Sequence, residues 1–530
     1  MRVRHLSFLF VTLLFICVSI VCSAEVILPY PDGGHGYKWL GSSDLHIISS
    51  GEYAFSDASF SDIIVHVQSS GVRLDGLNAG IRRINGRSDL NLKNINIYID
   101  EYDYSGSAIS ECHDIVGSSI VLKSNQEVAG IGILYGTIDD TIITVHSTGA
   151  RGIVEVYGII SGGEFTVTGQ RLAFGIGTAY GTISGGIFTV SGDLAHGVTN
   201  LIEGSTISGG KFIVNGDTAY GVVLVHGGII SGGEFIVSGR NAGGVVVISG
   251  EGESPKSESA SSIGEIDEQF FEIVLLNTSG FGNEYSVIAL NEEDAFEVDM
   301  GHGIVSGGEF TVTGQKLAFG VGHVDGIVSG GTFTITSQGI AVGVDTISGA
   351  VSGGIFTING KDAVGVWEVS GTDIVIESRF TDTLGEYVPG VDEENGILSE
   401  GRFVVTSQKR AAGIVNVFGT VSGGVFTING EEALGVSNAS GIISGGLFTV
   451  IATKEQACGI FKNSENSTLS GGLFLITSPF YGSSPHICNG PDTRIYSGAQ
   501  TFFHVSMHVL DHIMIKQFSS FVIPFLNSIF

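Results

Sequence analysis

The chain has 530 residues, with 24 Lys+Arg against 54 Asp+Glu for a formal net charge of −30, 81 Gly, 8 Pro and 43% hydrophobic residues. That apolar share excludes a glycine-rich linker or disordered polymer, so the glycines punctuate a packed structure. The acidic balance excludes nucleic acid and anionic membrane surfaces as partners, because phosphate binding needs a basic footprint.

Arg2 and Arg4, an apolar run over 6–21 and the small-residue end Cys22-Ser23-Ala24 have the order of a secretory signal peptide. The expectation is a signal peptide over 1–24 and a mature chain from Glu25. Residues 25–116 carry strand-like alternation, as in Ile63-Ile64-Val65-His66-Val67, and are expected to form the N-terminal cap and irregular early coils that a solenoid end needs. Loss of the signal leaves Cys112, Cys458 and Cys488. This odd count is no disulfide framework, and both a Cys458–Cys488 bridge and three unpaired thiols stay open.

From 117 to 477 the motif Ser-Gly-Gly-x-Phe recurs, with its aromatic at Phe165, Phe188, Phe212, Phe235, Phe310, Phe333, Phe356, Phe426, Phe448 and Phe474. Phe403, in Ser399-Glu400-Gly401-Arg402-Phe403, is a degenerate copy. Most steps are 22 to 24 residues (188 − 165 = 23, 212 − 188 = 24, 448 − 426 = 22). The gap 403 − 356 = 47 reads as two periods, with Phe380 as the rung between. The gap 310 − 235 = 75 reads as three periods, swollen by an acidic loop at about 250–286 and re-entered at Ile288. Weaker copies at Ile120 and Ile143 bring the expectation to about sixteen rungs from Ile120 to Phe474.

A fixed period in this range means a solenoid, propeller or array. In Glu164-Phe165-Thr166-Val167-Thr168 the apolar residues alternate with period two, as in a strand that buries Phe and Val and exposes Thr. Further short apolar stretches at Ala173-Phe174-Gly175-Ile176 and Gly181-Thr182-Ile183-Ser184 make three strands per coil. A propeller blade needs about 40 residues, and a leucine-rich repeat needs Leu at fixed offsets. The fold expected is all-β: a single-stranded parallel β-helix, right-handed by the general crossover rule, with the Phe residues as an internal ladder. Residues 478–530 lose the Gly rhythm and form a C-terminal cap or apolar tail. Within it His504, His508 and His512 have the i, i+4 spacing of one helix face.

A signal peptide followed by tandem Ser-Gly-Gly-x-Phe coils resembles the passenger region of autotransporter and polymorphic outer-membrane adhesins. The resemblance covers about 117–477 and implies a surface-exposed or secreted adhesin associated with the outer membrane. The family's passenger precedes a twelve-strand barrel of roughly 250 residues, whereas 530 − 477 = 53 residues follow Thr477. The expectation is therefore a passenger lacking that barrel.

Catalysis is weighed on spacing. Gly301-His302-Gly303 and Asp139-Asp140 match tripeptide and dipeptide fragments of polysaccharide hydrolases, but about seven rungs separate them, or over 30 Å. Two carboxylates acting on one glycosidic bond sit roughly 5 to 10 Å apart. Arg171, Lys211, Arg240, Lys316 and Lys361 are scattered over turn offsets. The reading is non-enzymatic, without cofactor or metal. The outward positions Thr166, Thr168, Thr311, Thr313, Thr334 and Thr336 suit an exposed strand, and they form the candidate contact face. The function expected is adhesin-like binding of a host or neighbouring cell-surface protein or glycan, at the cell surface or outside it, with the periplasm as the alternative location. The alternative function is a polysaccharide-binding or polysaccharide-cleaving β-helix, which would bring groups such as Glu155, His196 and Arg171 together in one groove.

Overall fold

The computed structural model describes residues 26–28, 36–40, 44–55, 63–76, 81–249, 303–369, 396–463, 467–478, 487–489 and 501–506. The expected signal peptide, the acidic loop, Phe380, Ile288, His302, His508 and His512 lie outside them. The described residues are all β, without helix, and form parallel β-solenoid of about 15 turns with ~23 residues between stacked strands. They divide into two compact units, Met1–Gly177 with Gly185–Ile187, and Thr178–Ser184 with Phe188–Phe530.

The first unit begins with an antiparallel pair, Tyr37–Leu40 against Asp44–Ile47. The strand Asp44–Ile47 then pairs in parallel with Ile63–Val67, and that strand with Ile81–Asn85. From there the ladder is regular. Ile97 pairs with Ile120, and Ile120 with Ile143, and all three are buried. Phe165 is buried further along the same unit.

In the second unit ten Phe residues, Phe188, Phe212, Phe235, Phe310, Phe333, Phe356, Phe403, Phe426, Phe448 and Phe474, make one internal column. Successive ring centroids are 4.6–4.8 Å apart and ring planes differ by 2–7°. Parallel rings at that centroid distance are offset, the arrangement their quadrupoles favour. Each ring is almost fully removed from water, worth about 1.5–3 kcal/mol per residue from burial.

Two expectations are corrected by this register. Phe356 pairs directly with Phe403, so no coil carries Phe380 between them. Phe235 pairs directly with Phe310, so Ile288 does not re-enter the ladder as a rung. From Ile120 to Phe474 the register holds 3 + 10 = 13 positions, and with Ile97 before and Phe502 after them the count of about 15 turns is close to the sixteen expected. Spacing near a multiple of 23 had mimicked extra coils. The physical reason is that a coil needs only its two loop ends to meet. Gly303 N–H donates to the Ser249 carbonyl at 2.8 Å, closing the segment between them. Both long segments leave from the same corner of the coil, since Ile248, Val324, Ile347 and Val369 follow one another in register.

The Ser-Gly-Gly turn explains itself by sterics. A Cβ on the first glycine would strike the serine carbonyl of the preceding rung, at 2.2 Å from Ser306 O in the case of Gly330. The second glycine sits at φ between +88° at Gly210 and +118° at Gly401, where L side chains are strained. In the degenerate copy Glu400 occupies the first-glycine position, and the pairing slips there, with Ser352 opposite Glu400 and register shifts on both sides. The Phe ladder recovers at once, Phe356 opposite Phe403. Beyond the last motif the parallel pairing continues, with Phe474 opposite Phe502 and Ile476 opposite His504. His504 thus lies in the strand Thr501–Ser506, not on a helix face.

Truncating one rung leaves a cavity between stacked neighbours. Phe333→Ala is expected to lower stability by about 3–5 kcal/mol, while Thr334→Ala, on the outer face of the same strand, stays within about 0.5 kcal/mol. Urea unfolding followed by circular dichroism reads both, and equal effects would contradict the assignment of inner and outer faces.

Candidate functional site

The outward positions of the Phe strand form columns in both units. In the first unit Thr166 is exposed and Thr168 half-buried on the strand Glu164–Ala179. In the second unit Thr311 stands opposite Thr334 and Thr334 opposite Thr357, while Thr313, Thr336 and Asn359 make a parallel column. Thr311, Thr313, Thr332, Thr334 and Thr336 are all exposed. Glu309 precedes them on one rung and Ile355, 48% exposed, on another. On the next rung Val404 stands opposite Thr357 and Thr406 opposite Asn359. The densest hydroxyl patch therefore spans the rungs of Phe310 and Phe333, bounded by Ile236 and Ser238 on one side and by Thr357 and Asn359 on the other.

A second outer face escaped the sequence reading. A Cβ on Gly244 would meet the core ring of Phe310 at 3.3 Å, whereas one on Gly243 would meet the ring of Phe319 at 2.3 Å. Successive residues of a strand point to opposite faces, so Phe319 lies outside the coil interior. With it cluster Tyr220, Val223, Val246, Leu317 and Val342, all buried, continued by Val364, Ala412 and Val415 beside Trp367. They include the middle residue of Ala-x-Gly, as in Ala219-Tyr220-Gly221 and Ala318-Phe319-Gly320. Apolar residues there, between two inward small residues, were the available signal. These side chains are themselves buried, and the partly buried Leu194, Val247, Ile340 and Trp367 pack against them.

The residues weighed for catalysis are placed separately. Asp140 has φ +43° and its N–H donates to Asp139 Oδ1 at 3.0 Å, so the pair shapes a turn. Lys211 pairs with Glu234 across one rung at 2.7 Å, and Arg240, Lys316 and Lys361 are exposed. In the first unit Glu155 is half-buried and Arg171 exposed. In the second, His196 is fully buried with Nδ1 3.3 Å from Thr199 Oγ1 and its ring 5.7 Å from that of Tyr220. Burial pushes the His196 pKa down to about 3, so it is neutral within the outer apolar cluster. Elsewhere in the same unit, burial raises Asp345 to about 7, with Glu368 acting in the same direction. Cys112 is a buried free thiol pushed up to about 12 by burial, then by Asp114 and Glu111, which suppresses the reactive thiolate. Cys458 is buried and disulfide-bonded, and the side chain of Cys488 lies outside the described residues. Among the described residues no group of three or more His, Cys, Asp and Glu could hold a metal ion.

Comparison with protein-family models, with curated proteins and with solved structures finds no match to this chain.

Two titrations of opposite sign follow from the burial. His196 binds protons more weakly folded than unfolded, so its contribution is complete above about pH 6.5 and is lost as pH falls toward 3. Asp345 binds protons more strongly folded, so its contribution is present below about pH 4 and is lost as pH rises through about 7. Thermal unfolding between pH 4 and pH 8 is expected to show a shallower acid loss in His196→Gln and a shallower alkaline loss in Asp345→Asn; unchanged slopes in both variants would contradict the burial of these groups.

Proposed function

We propose that this chain is a secreted, non-enzymatic, adhesin-like β-solenoid whose hydroxyl-bearing outer face contacts a protein or glycan on a host or neighbouring cell. The observation that carries the reading is the register Thr311–Thr334–Thr357, with Thr313–Thr336–Asn359 beside it, on an exposed face. Small hydroxyls on strands held by a stacked core lose little freedom on contact, so a weak contact repeated at a fixed spacing is favourable. Side chains of this kind offer donors and acceptors to a sugar or a polar peptide surface but no nucleophile or metal. The resemblance to autotransporter passengers supports export through the signal peptide at 1–24 and association with the outer membrane, with the periplasm as the alternative location.

The mature chain is expected to bind intact target cells, and Thr311→Lys, Thr334→Lys and Thr336→Lys together to weaken that binding about tenfold or more with no change in unfolding temperature. Protease shaving of producing cells should remove the 165–474 region. Unchanged binding by the triple variant would take this face out of the reading, and release of reducing ends from a polysaccharide would replace it with the glycan-cleaving alternative.

A further inference from the structure

The first unit holds a polar cavity of about 290 Å³, lined by Ile64, Arg82, Arg83, Glu101, Asp103, Tyr104 and Ser105. Its wall is built by register. Ile64 stands opposite Arg83 and His66 opposite Asn85 on adjacent parallel strands, so Ile64 and Arg83 share one outer face. The floor is completed by the turn after Asp100, where Tyr104 is buried and its hydroxyl donates to the Ser107 carbonyl at 2.8 Å.

Four arginines fall between residues 73 and 87, and three are neutralised. Arg73 pairs with Glu52 at 3.2 Å, Arg82 with Glu101 at 2.6 Å and Arg87 with Asp89 at 3.5 Å. Arg83 has no carboxylate within ion-pair distance among the described residues, and its Nε is buried without a hydrogen-bond partner. A guanidinium N–H taken from water and left unmade is costly, so such a group invites an acceptor from outside the chain. The planar fork of Nε and Nη matches a carboxylate in two parallel hydrogen bonds.

The rest of the wall restricts what carries that carboxylate. Glu101 is committed to Arg82, leaving the exposed Asp103 as an acceptor for hydroxyl donors. The ring of Tyr104 and the side chain of Ile64 provide an apolar flank. At about 290 Å³ the space is at the small end of ligand pockets, sized for one ring rather than a chain. Beside it on the same face runs a polar ladder. His66 Nδ1 is 2.9 Å from Asn85 Nδ2, His66 Nε2 is 3.3 Å from Asp44 Oδ1, and His46 stacks on His66 at 4.5 Å between ring centroids.

We infer that this cavity binds a small polyhydroxylated carboxylate, an acidic sugar of the uronate type, with Arg83 gripping the carboxylate, Asp103 accepting a ring hydroxyl and Tyr104 with Ile64 lying against the ring. This site is in the first unit and does not depend on the hydroxyl face of the second, so failure of one leaves the other standing.

The test is calorimetric titration of the mature full chain with sodium glucuronate, glucose and sodium acetate. Glucuronate is expected to bind at least about tenfold more tightly than either control, since only it offers both the carboxylate and the hydroxyls. Arg83→Lys, which keeps the charge and loses the fork, is expected to weaken glucuronate about tenfold. Asp103→Asn, at an exposed position, is expected to narrow the preference for glucuronate over acetate with the unfolding temperature unchanged, and it carries the test if Arg83→Lys does not fold. No saturable binding below about 50 mM, acetate binding as well as glucuronate, or an undiminished affinity in a folded Arg83→Lys would each overturn the inference.

Discussion

Everything in the second unit depends on one repeat distance. Parallel strands stack at about 4.8 Å because that is the span of their hydrogen bonds, and flat aromatic rings lie offset at nearly the same separation. The Phe column, at 4.6–4.8 Å between centroids, satisfies backbone and side chains with one pitch. Any residue that breaks the pitch must be accommodated locally, as the slip at Glu400 shows. The two glycines before each Phe follow from the same constraint. One allows the backbone to approach the rung below, and the other takes a φ closed to L side chains.

A structure held by neighbour-to-neighbour contacts tolerates additions that respect its corners. Stability in a solenoid is close to a sum over rungs and their interfaces, and a long loop costs only slightly more to close than a short one. The segments after Ser249 and after Val369 leave from a single corner column and return without displacing the ladder. The inner column stays continuous while the outer surface is free to differ between rungs, and it does so in three ways. One face carries hydroxyls, another is closed by Tyr220, Phe319 and their neighbours, and in the first unit a turn encloses a cavity beside Arg83.

These faces differ in what they can do because they differ in solvation. The Thr columns are exposed and uncharged, so they can meet a partner with little desolvation cost. His196 lies in the apolar outer cluster and is held neutral by it, and Asp345 is displaced in the opposite sense. Both burdens are consistent with a group serving the packing of the coil rather than a reaction. Arg83 is the converse case, a permanent charge whose buried Nε has no hydrogen-bond partner among the described residues.

The sequence by itself determined the all-β class, the period, the inner Phe ladder and the outward Thr positions, because each follows from local alternation and from glycines at fixed offsets. It could not separate a true rung from an insertion of similar length, and Phe380 and Ile288 read as coils for that reason alone. Only the tertiary structure decided that Phe235 meets Phe310 and Phe356 meets Phe403, since ring stacking reports spatial adjacency and spacing in the chain does not. The tertiary structure alone also placed the middle residue of Ala-x-Gly on a buried outer face, and brought Ile64, Arg83, Asp103 and Tyr104 to one cavity. Those side chains come from different coils, and their meeting depends on register across strands, a quantity that no single stretch of sequence encodes.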